Sequence, residues 1–561
     1  MYKSNFSNVR EIIQNGIKKY ENNNAFIVKD ENKNHVHITY KRFGEDIEKL
    51  GRAFIKMGLQ NKKIAIIGKN KYEWALCYCT VLYGVGIAVP LDKGLPENEI
   101  ENSLIISEAD VIIFEEKSVE EIKNIKNRKK TKVTTYICMD TGTEFTSLQE
   151  VLEIGNKELK NKDNNFNNLK IDNDKTSIIV FTSGTTSMAK AVELSQKNIA
   201  SNVNGMNEHE TFLSTDVNMA FLPFHHTFGS TALVLFLGTG TTTVFCDGLR
   251  YVQKNLKEYR VTIFFCVPLI IEAMYKKIMI EIEKQGKLKL VKFAKILSKI
   301  LLKFKIDIRR KLFKDIIDNL GGGIRVIING AAAIDPKISK EFNEFGILTI
   351  QGYGLTETSP VLCAENENCL RLGSIGKPLP NVEMKIDDPD EEGIGEIIAK
   401  GPNIMNGYYK NKKQTEEVLQ DGWFHTGDYG RIDKDGYFFV SGRKKNVIVL
   451  KNGKNIYPEE LEVLIAKLQY VKENFVFGAP KDDDLVITAK IVYDKDYMKS
   501  KYNTDSEDEI KDIIWNDIKK INKELCNYKH IKKLVISDEP MIKTTTNKIK
   551  RNEEMKRMDL N

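Results

Sequence analysis

The apolar positions of the first 160 residues switch repeatedly between the spacing of a helix and the continuous run of a buried strand. Residues 41–57 read as an amphipathic helix closed by Gly58, and 63–67 (KIAII) as a buried strand. Residues 74–83 read as another helix, with 86–89 and 109–114 as further strands. Such alternation predicts α/β layers with largely parallel pairing. Residues 161–175, rich in Asn, Asp and Lys, read as an exposed connector, and the apolar run 177–180 as the first strand of a new unit.

A second alternating block follows. Strands are expected over 218–224, 261–265, 324–328 and 347–350, the last two opening into the small-residue turn 329–333 and into QGYGLTE at 351–357. Strand ends that open into Gly-rich loops are where ligands sit on open α/β sheets. Residues 275–313 form a long basic stretch bearing Leu and Ile at helical spacing. Its lysine-heavy face suits peripheral contact with an anionic membrane surface, while an ordinary surface helix pair with snorkelling lysines is the rival reading. After Arg443 the character changes. A turn at 451–454 leads into a helix starting near Pro458, and the chain that follows is long enough for a small separate domain. The division expected is therefore 1–443, a large multi-layer α/β domain, and 444–561, a small α+β domain.

At 561 residues one ordinary core is exceeded, in agreement with more than one domain. The net charge of +7 is the small remainder of 85 basic against 78 acidic groups, with signs interspersed, so nothing demands nucleic acid. No apolar region follows the first six residues and no apolar run of spanning length occurs, so neither a secretory signal nor a transmembrane helix is expected. The eight cysteines are scattered; Cys77 and Cys79 fall inside an apolar helix and read as buried thiols. A reduced, cytoplasmic setting fits, with or without contact at a membrane surface.

Five segments carry candidate chemistry. FTSGTTSMAK (181–190) gathers hydroxyls, a glycine and a lysine in one turn, which can wrap a phosphate; a solvated Ser/Thr loop is the plain alternative. LPFHHTFG (222–229) sets a histidine pair at a strand end. In GYGLTE (352–357), Tyr353 can stack on a base, and Thr356 with Glu357 can hold Mg²⁺ on phosphates. In FHTGD (424–428), Asp428 can accept both hydroxyl protons of a ribose. KTTTNKIKR (543–551) adds a basic tail segment. Taken singly, Tyr353 also reads as core, Asp428 as a turn acid and Glu357 as a surface charge.

In that order, and with GRKKNVIVLKNGKNIYPEELE between the last two, these motifs resemble the adenylate-forming (AMP-binding) superfamily, closest to the long-chain fatty acid–CoA ligases. The resemblance runs over nearly the whole chain. It implies a large N-terminal domain, a mobile C-terminal lid with a hinge near Lys445, and a two-step reaction. A fatty acid carboxylate attacks ATP to give acyl-AMP and pyrophosphate; the thiol of coenzyme A then displaces AMP. Residue by residue, the resemblance assigns Thr182, Ser183, Gly184, Thr185, Thr186 and Lys190 to the β- and γ-phosphates. Tyr353 and Gly354, with the Gly330, Ala331 and Ala332 turn, go to adenine. Thr356 and Glu357 serve phosphate and Mg²⁺, Asp428 and Arg443 the ribose. His226 lines the acyl pocket near the reacting carboxylate, and Lys548 bridges carboxylate and α-phosphate oxygens in the first step.

The sequence departs from the family pattern at Ser187, Ala189 and Ala191 in the first loop and at Gln196, where the family often has His. Ala331 adds a methyl to the small-residue turn, and Asn547 replaces a glycine before Lys548. The charged participants are intact, so these changes bear on rate and chain-length preference. Two alternatives stay open: an acyl-AMP ligase or synthetase that hands the acyl group to an acyl carrier protein, and a non-catalytic nucleotide-binding or membrane scaffold protein.

Overall fold

The computed structural model describes residues 5–160, 165–182, 190–451, 454–481, 484–544 and 548–558. Contacts divide the chain into two compact units. One comprises the residues up to Thr182, Lys190–Met384 and Ala399–Phe424; the other comprises Lys385–Ile398 and the chain from His425 onward.

The first unit is built on two sheets. Its eight-stranded sheet runs in the order Gly407–Tyr408, Lys190–Ser195, Thr176–Thr182, Ile87–Leu91, Lys63–Ile67, Val111–Phe114, Thr135–Cys138, Thr146–Ser147. From Thr176–Thr182 outward the pairing is parallel, while Lys190–Ser195 returns antiparallel. The expected strand at 63–67 is present, and Ile64, Ala65, Ile66 and Ile67 are all buried. Layers on both faces of a parallel sheet explain why its strands read as continuous apolar runs. The nine-stranded sheet has a parallel centre made of Leu348–Gly354, Val326–Asn329, Ile263–Cys266, Val217–Ala220, Thr242–Phe245 and Asn24–Lys29. The helix expected at 41–57 is Tyr40–Lys56. Thr39 caps it by accepting from the Arg42 N–H, and Phe43, Ile47, Leu50 and Phe54 are buried on one face. Cys77 and Cys79 are buried, and burial pushes both thiols up.

Two expectations are corrected, and a third region is resolved into its elements. The strand read over 218–224 stops at Ala220, because Asn70 takes over the backbone beyond it. Its amide donates to the carbonyls of Ala220 (3.2 Å) and Leu222 (2.8 Å) and accepts from the Phe224 N–H (2.9 Å). In the polar connector, Phe166 and Leu169 are buried and Phe166 stacks on Tyr83 at 5.0 Å between ring centroids, so two apolar residues pin a segment whose composition reads as solvated. The stretch 275–313 is several helices: Pro268–Lys284 and Leu288–Lys303 are parted at Gly286, which adopts φ +67°, and a short helix Arg309–Leu312 follows.

The second unit is α+β, with a small two-stranded sheet, Ile448–Val449 against Asn455–Ile456, beside two larger ones. Trp423–Ile432 pairs antiparallel with Phe438–Arg443 in one sheet. In the other, Val471–Lys481 runs antiparallel and Lys533–Ser537 parallel to Asp484–Tyr493. Ile510, Ile514 and Ile518 recur every fourth residue on helix Glu507–Lys523 and are fully buried in its core.

Candidate active site

In the first unit, Thr182 ends one strand and Lys190 begins the antiparallel return, the two standing opposite each other in register. The Thr182 hydroxyl donates to the Lys190 carbonyl at 3.4 Å. The hydroxyl turn between them is thus bracketed by a closed hairpin stem; Ser183, Gly184, Thr185, Thr186, Ser187 and Ala189 lie outside the described residues. The Lys190 ammonium rests over the Tyr408 ring, 4.5 Å from its centroid. Tyr408 reaches that place because Gly407–Tyr408 pairs with Lys190–Ser195. Its hydroxyl donates to Glu357 Oε1 at 2.9 Å. Glu357 sits in the single turn Thr356–Thr358 that follows strand Leu348–Gly354, and its carbonyl accepts from Met405 N–H at 2.8 Å. One tyrosine therefore joins Lys190 to Glu357.

Tyr353 lies on the last turn of that strand, half-buried against the main apolar core and opposite Cys363. A side chain at Gly354 is excluded, since its first carbon would fall 1.8 Å from the Pro360 carbonyl oxygen. The small-residue turn stands beside this strand. Asn329, fully buried, donates to the Ile350 carbonyl at 2.7 Å, and a Cβ on Gly330 would lie 3.3 Å from the Gly352 carbonyl oxygen. Ala331 adopts φ +68° and is exposed with Ala332. Left-handed backbone costs an L-residue about 1–2 kcal/mol, so the alanine at this departure holds a conformation better suited to glycine. Behind the strand, the buried Glu365 carboxylate accepts from the Gln351 N–H (3.1 Å) and the Arg371 N–H (2.9 Å). Burial pushes its carboxyl up to about 7 against those two bonds.

The histidine pair starts helix Thr227–Thr239, with His226 at its N-cap position and the two rings 4.2 Å apart. Phe228, two residues on, packs against Gly330, whose added Cβ would meet its ring at 3.1 Å. His226, the Gly330 turn and the Tyr353 strand are thereby neighbours. His225 is buried with Nε2 3.6 Å from Asp92. Burial, then the charge of His226, push its pKa down to about 3, so it is neutral near pH 7.

In the second unit, Asp428 and Arg443 are cross-strand partners, and the guanidinium Nε meets Asp428 Oδ1 at 2.8 Å. Asp428 is 4% exposed. The residue before it in the same strand, Gly427 at φ +69°, is held by Glu396, which accepts from Gly427 N–H (3.0 Å), pairs with Lys444 (2.8 Å) and faces His425 Nδ1 (3.2 Å). Burial opposes charge on Glu396, but these partners outweigh it and hold its carboxyl below the usual range. Lys445 lies in the turn Lys444–Asn446 directly after the Arg443 strand.

Lys548 closes a small backbone loop. The Thr544 N–H donates to the Lys548 carbonyl (2.8 Å), the Lys548 N–H donates to the Thr544 hydroxyl (3.1 Å), and Lys543 bridges to Ile549. Asn547 lies outside the described residues. Carboxylates anchor the loop on both sides. Glu473 accepts from the Met541 N–H (2.8 Å) and the Lys543 ammonium (2.7 Å), while Glu554, fully buried, accepts from the Ile542 N–H (2.9 Å) and pairs with Lys490. Arg551 reaches Glu462 (2.6 Å) and Glu459 (3.7 Å), and Glu459 accepts from Asn446 (2.6 Å). The Lys548 loop and the Lys445 turn therefore share one support, helix Pro458–Ile465.

Four residues of this arrangement escaped the sequence reading: Asn70, Tyr408, Glu396 and Glu365. None sits within a motif. Only Tyr408 carried a signal, as one of two adjacent tyrosines after a glycine at 407–409. Gln196, the position where the resemblance expects His, is a buried strut. Its amide donates to the Leu82 carbonyl (2.7 Å) and accepts from the Val9 N–H (3.0 Å).

The family model for an AMP-binding enzyme matches residues 13–409, and that for the AMP-binding enzyme C-terminal domain matches 445–559. The peroxisomal long chain acyl-CoA synthetase 6 of Arabidopsis thaliana is 33% identical over 383 residues, covering 65% of this chain and 53% of its own. The chain thus spans about half the length of that relative. Long-chain-fatty-acid–CoA ligase 5 of Mus musculus is 28% identical, covering 96% of this chain and 85% of its own. In fold, the chain is similar to o-succinylbenzoate CoA synthetase from Bacillus subtilis in complex with the acyl-adenylate intermediate, with TM-score 0.73, 21% identity and 97% of each chain covered. With most of its length under the family model, this chain belongs to the AMP-binding enzyme family.

Proposed function

We propose that this chain is a long-chain fatty acid–CoA ligase. The observation that carries the reading is the Lys190–Tyr408–Glu357 chain of contacts at neighbouring strand ends, within a member of the AMP-binding enzyme family. The long-chain acyl-CoA synthetases among its relatives support the acyl substrate. MgATP is the nucleotide substrate in this reading. Mg²⁺ keeps few protein ligands when it travels on phosphates, and one carboxylate beside one hydroxyl, Glu357 and Thr356, suits that demand.

In the first step a fatty acid carboxylate oxygen bonds to the α-phosphorus of ATP and the bond to the β-phosphate oxygen breaks, releasing pyrophosphate. Negative charge builds on the α-phosphate oxygens and on the leaving group, so fixed cations matter more than covalent chemistry. Lys190, with Thr182, Ser183, Gly184, Thr185 and Thr186, holds the β- and γ-phosphates; Lys548 offsets charge between the carboxylate and the α-phosphate. Tyr353 and Gly354, with Gly330, Ala331 and Ala332, hold adenine, and Asp428, steadied by Arg443, accepts from the ribose hydroxyls. His226 lines the place of the reacting carboxylate. In the second step the thiolate of coenzyme A attacks the acyl carbon and AMP leaves. Lys548 and the thiol need the same volume at different times, so the segment from Lys445 onward turns between steps as a lid.

The test is AMP release from ATP with a panel of C6–C20 acids, with coenzyme A present and absent, and with a holo-acyl carrier protein as the competing acceptor. Acyl-CoA and AMP in equal amounts are expected. No AMP release with any acid overturns the reading, and transfer to the carrier protein alone replaces coenzyme A as the acceptor.

A further inference from the structure

Helix Leu288–Lys303 presents its apolar side to solvent. Its fully buried positions are the small residues Ala294, clustered with Phe313 and Phe345, and Ser298, while Leu288 and Val291 are partly buried against the same cluster. Leu290, Phe293, Ile296 and Ile300 point outward together with Phe304 just past the helix end; Phe293 is 63% and Phe304 70% exposed. At about 100° per residue these five side chains fill roughly one third of the helix circumference. A surface helix of a globular protein normally turns its polar face out, so the stripe needs a covering.

Charge says what covers it. From Lys284 through Ile306 there are eight lysines and no acidic residue. Lys295 is committed inward, paired with Glu341 and 3.4 Å from Glu344. Lys292, Lys299 and Lys303 are exposed along one flank of the stripe and Lys289 at its N-terminal end, and none of the four pairs with a carboxylate among the described residues. No described helix is long and apolar enough to cross a membrane, so a surface-lying mode is the one open to this segment. A second copy of the chain would bring lysine row against lysine row across a two-fold contact, whereas anionic headgroups bring the opposite sign.

We propose that helix Leu288–Lys303 docks on an anionic lipid bilayer, with Leu290, Phe293, Ile296, Ile300 and Phe304 seated at the headgroup–acyl boundary. Lys289, Lys292, Lys299 and Lys303 engage the headgroup phosphates. The inference stands on surface chemistry and is independent of the proposed reaction, though an enzyme for long-chain acids gains a substrate reservoir from such a surface.

The experiment is co-sedimentation of the full chain, without ATP or coenzyme A, with vesicles of phosphatidylcholine alone and of equal parts phosphatidylcholine and phosphatidylglycerol. Binding to the anionic vesicles, weakened by salt, is expected. The triple variant Phe293→Ser, Ile296→Ser, Ile300→Ser should lose it at least ten-fold, and Lys292→Gln, Lys299→Gln, Lys303→Gln should lose roughly a hundred-fold of the anionic binding. All six positions are exposed or half-exposed, so melting temperature and turnover of a water-soluble short acid should stay unchanged; failure of turnover in the parent chain bears on the reaction and leaves the binding result readable. Absence of vesicle binding, equal binding by the variants, or self-association through this face in sedimentation velocity overturns the proposal.

Discussion

The Tyr408 hydroxyl donates to the Glu357 carboxylate at 2.9 Å, across 51 residues of sequence. A hydrogen bond to a charged partner contributes about 1.5–3 kcal/mol. Tyr408→Phe keeps the ring under Lys190 but releases Glu357, and the expected result is a roughly ten-fold or greater rise in the MgATP KM with a smaller change in kcat. Steady-state kinetics across a Mg²⁺ titration measures this, and an unchanged KM would show that Glu357 needs no such support.

Asp428 and Arg443 form a pair in which only one partner is well buried. Asp428→Asn should leave the strand register intact and removes the charge that, in the proposed reaction, accepts from ribose hydroxyls. ATP affinity should fall ten- to a hundred-fold, measured by equilibrium binding, with a much smaller loss for binding of inorganic triphosphate, which has no ribose.

For Lys548 the decisive readout separates the half-reactions. Lys548→Ala should reduce acyl-AMP formation at least a thousand-fold yet leave thioester formation from supplied acyl-AMP and coenzyme A near the parent rate. Equal loss in both steps would remove the assigned role.

Ala331 holds φ +68°. An ordinary Ala→Gly change costs about 1 kcal/mol through the freedom glycine gains on unfolding. Here the relief of left-handed strain opposes that cost, so Ala331→Gly should leave stability unchanged or raise it by about 1 kcal/mol in denaturant melts. In the proposed reaction the lost methyl should also widen acceptance of bulkier acids.

Glu365 carries a pH dependence whose sign follows from its raised carboxyl. The folded chain keeps the proton to about pH 7, while the unfolded chain releases it near 4.5. Between those values the folded state binds more protons, so stability falls as pH rises through this window, by on the order of 3 kcal/mol in full. Glu365→Gln should flatten the stability profile between pH 4.5 and 7, whatever its effect on absolute stability. An unchanged slope would refute the assignment.

Much of this molecule was legible before any coordinates. Strands such as Lys63–Ile67 read clearly because both faces are covered, and the motif residues Thr182, Lys190 and Arg443 lie at strand ends with Glu357 in the turn just past one, where short local patterns stand out; Asp428, read as a turn acid, lies inside strand Trp423–Ile432. What stayed hidden was pairing at a distance. Tyr408 and Glu396 meet their partners only because strands far apart in sequence lie side by side, and the adjacent tyrosines at 408–409 do not say which partner is met. The helix Leu288–Lys303 shows the same limit from another side. Its period was visible, but the period does not say which face is covered: Ala294 and Ser298 are buried while the larger Leu290, Phe293, Ile296 and Ile300 are exposed.

By itself the order of residues determined the alternation of layers and the family's set of charged and hydroxyl groups, since both depend on composition over a few neighbouring positions. Tertiary structure alone decided which of those groups share a partner, which turn must bear a positive φ, and which apolar face is left to water. Those depend on how side chains and backbones from separate segments compete for the same space.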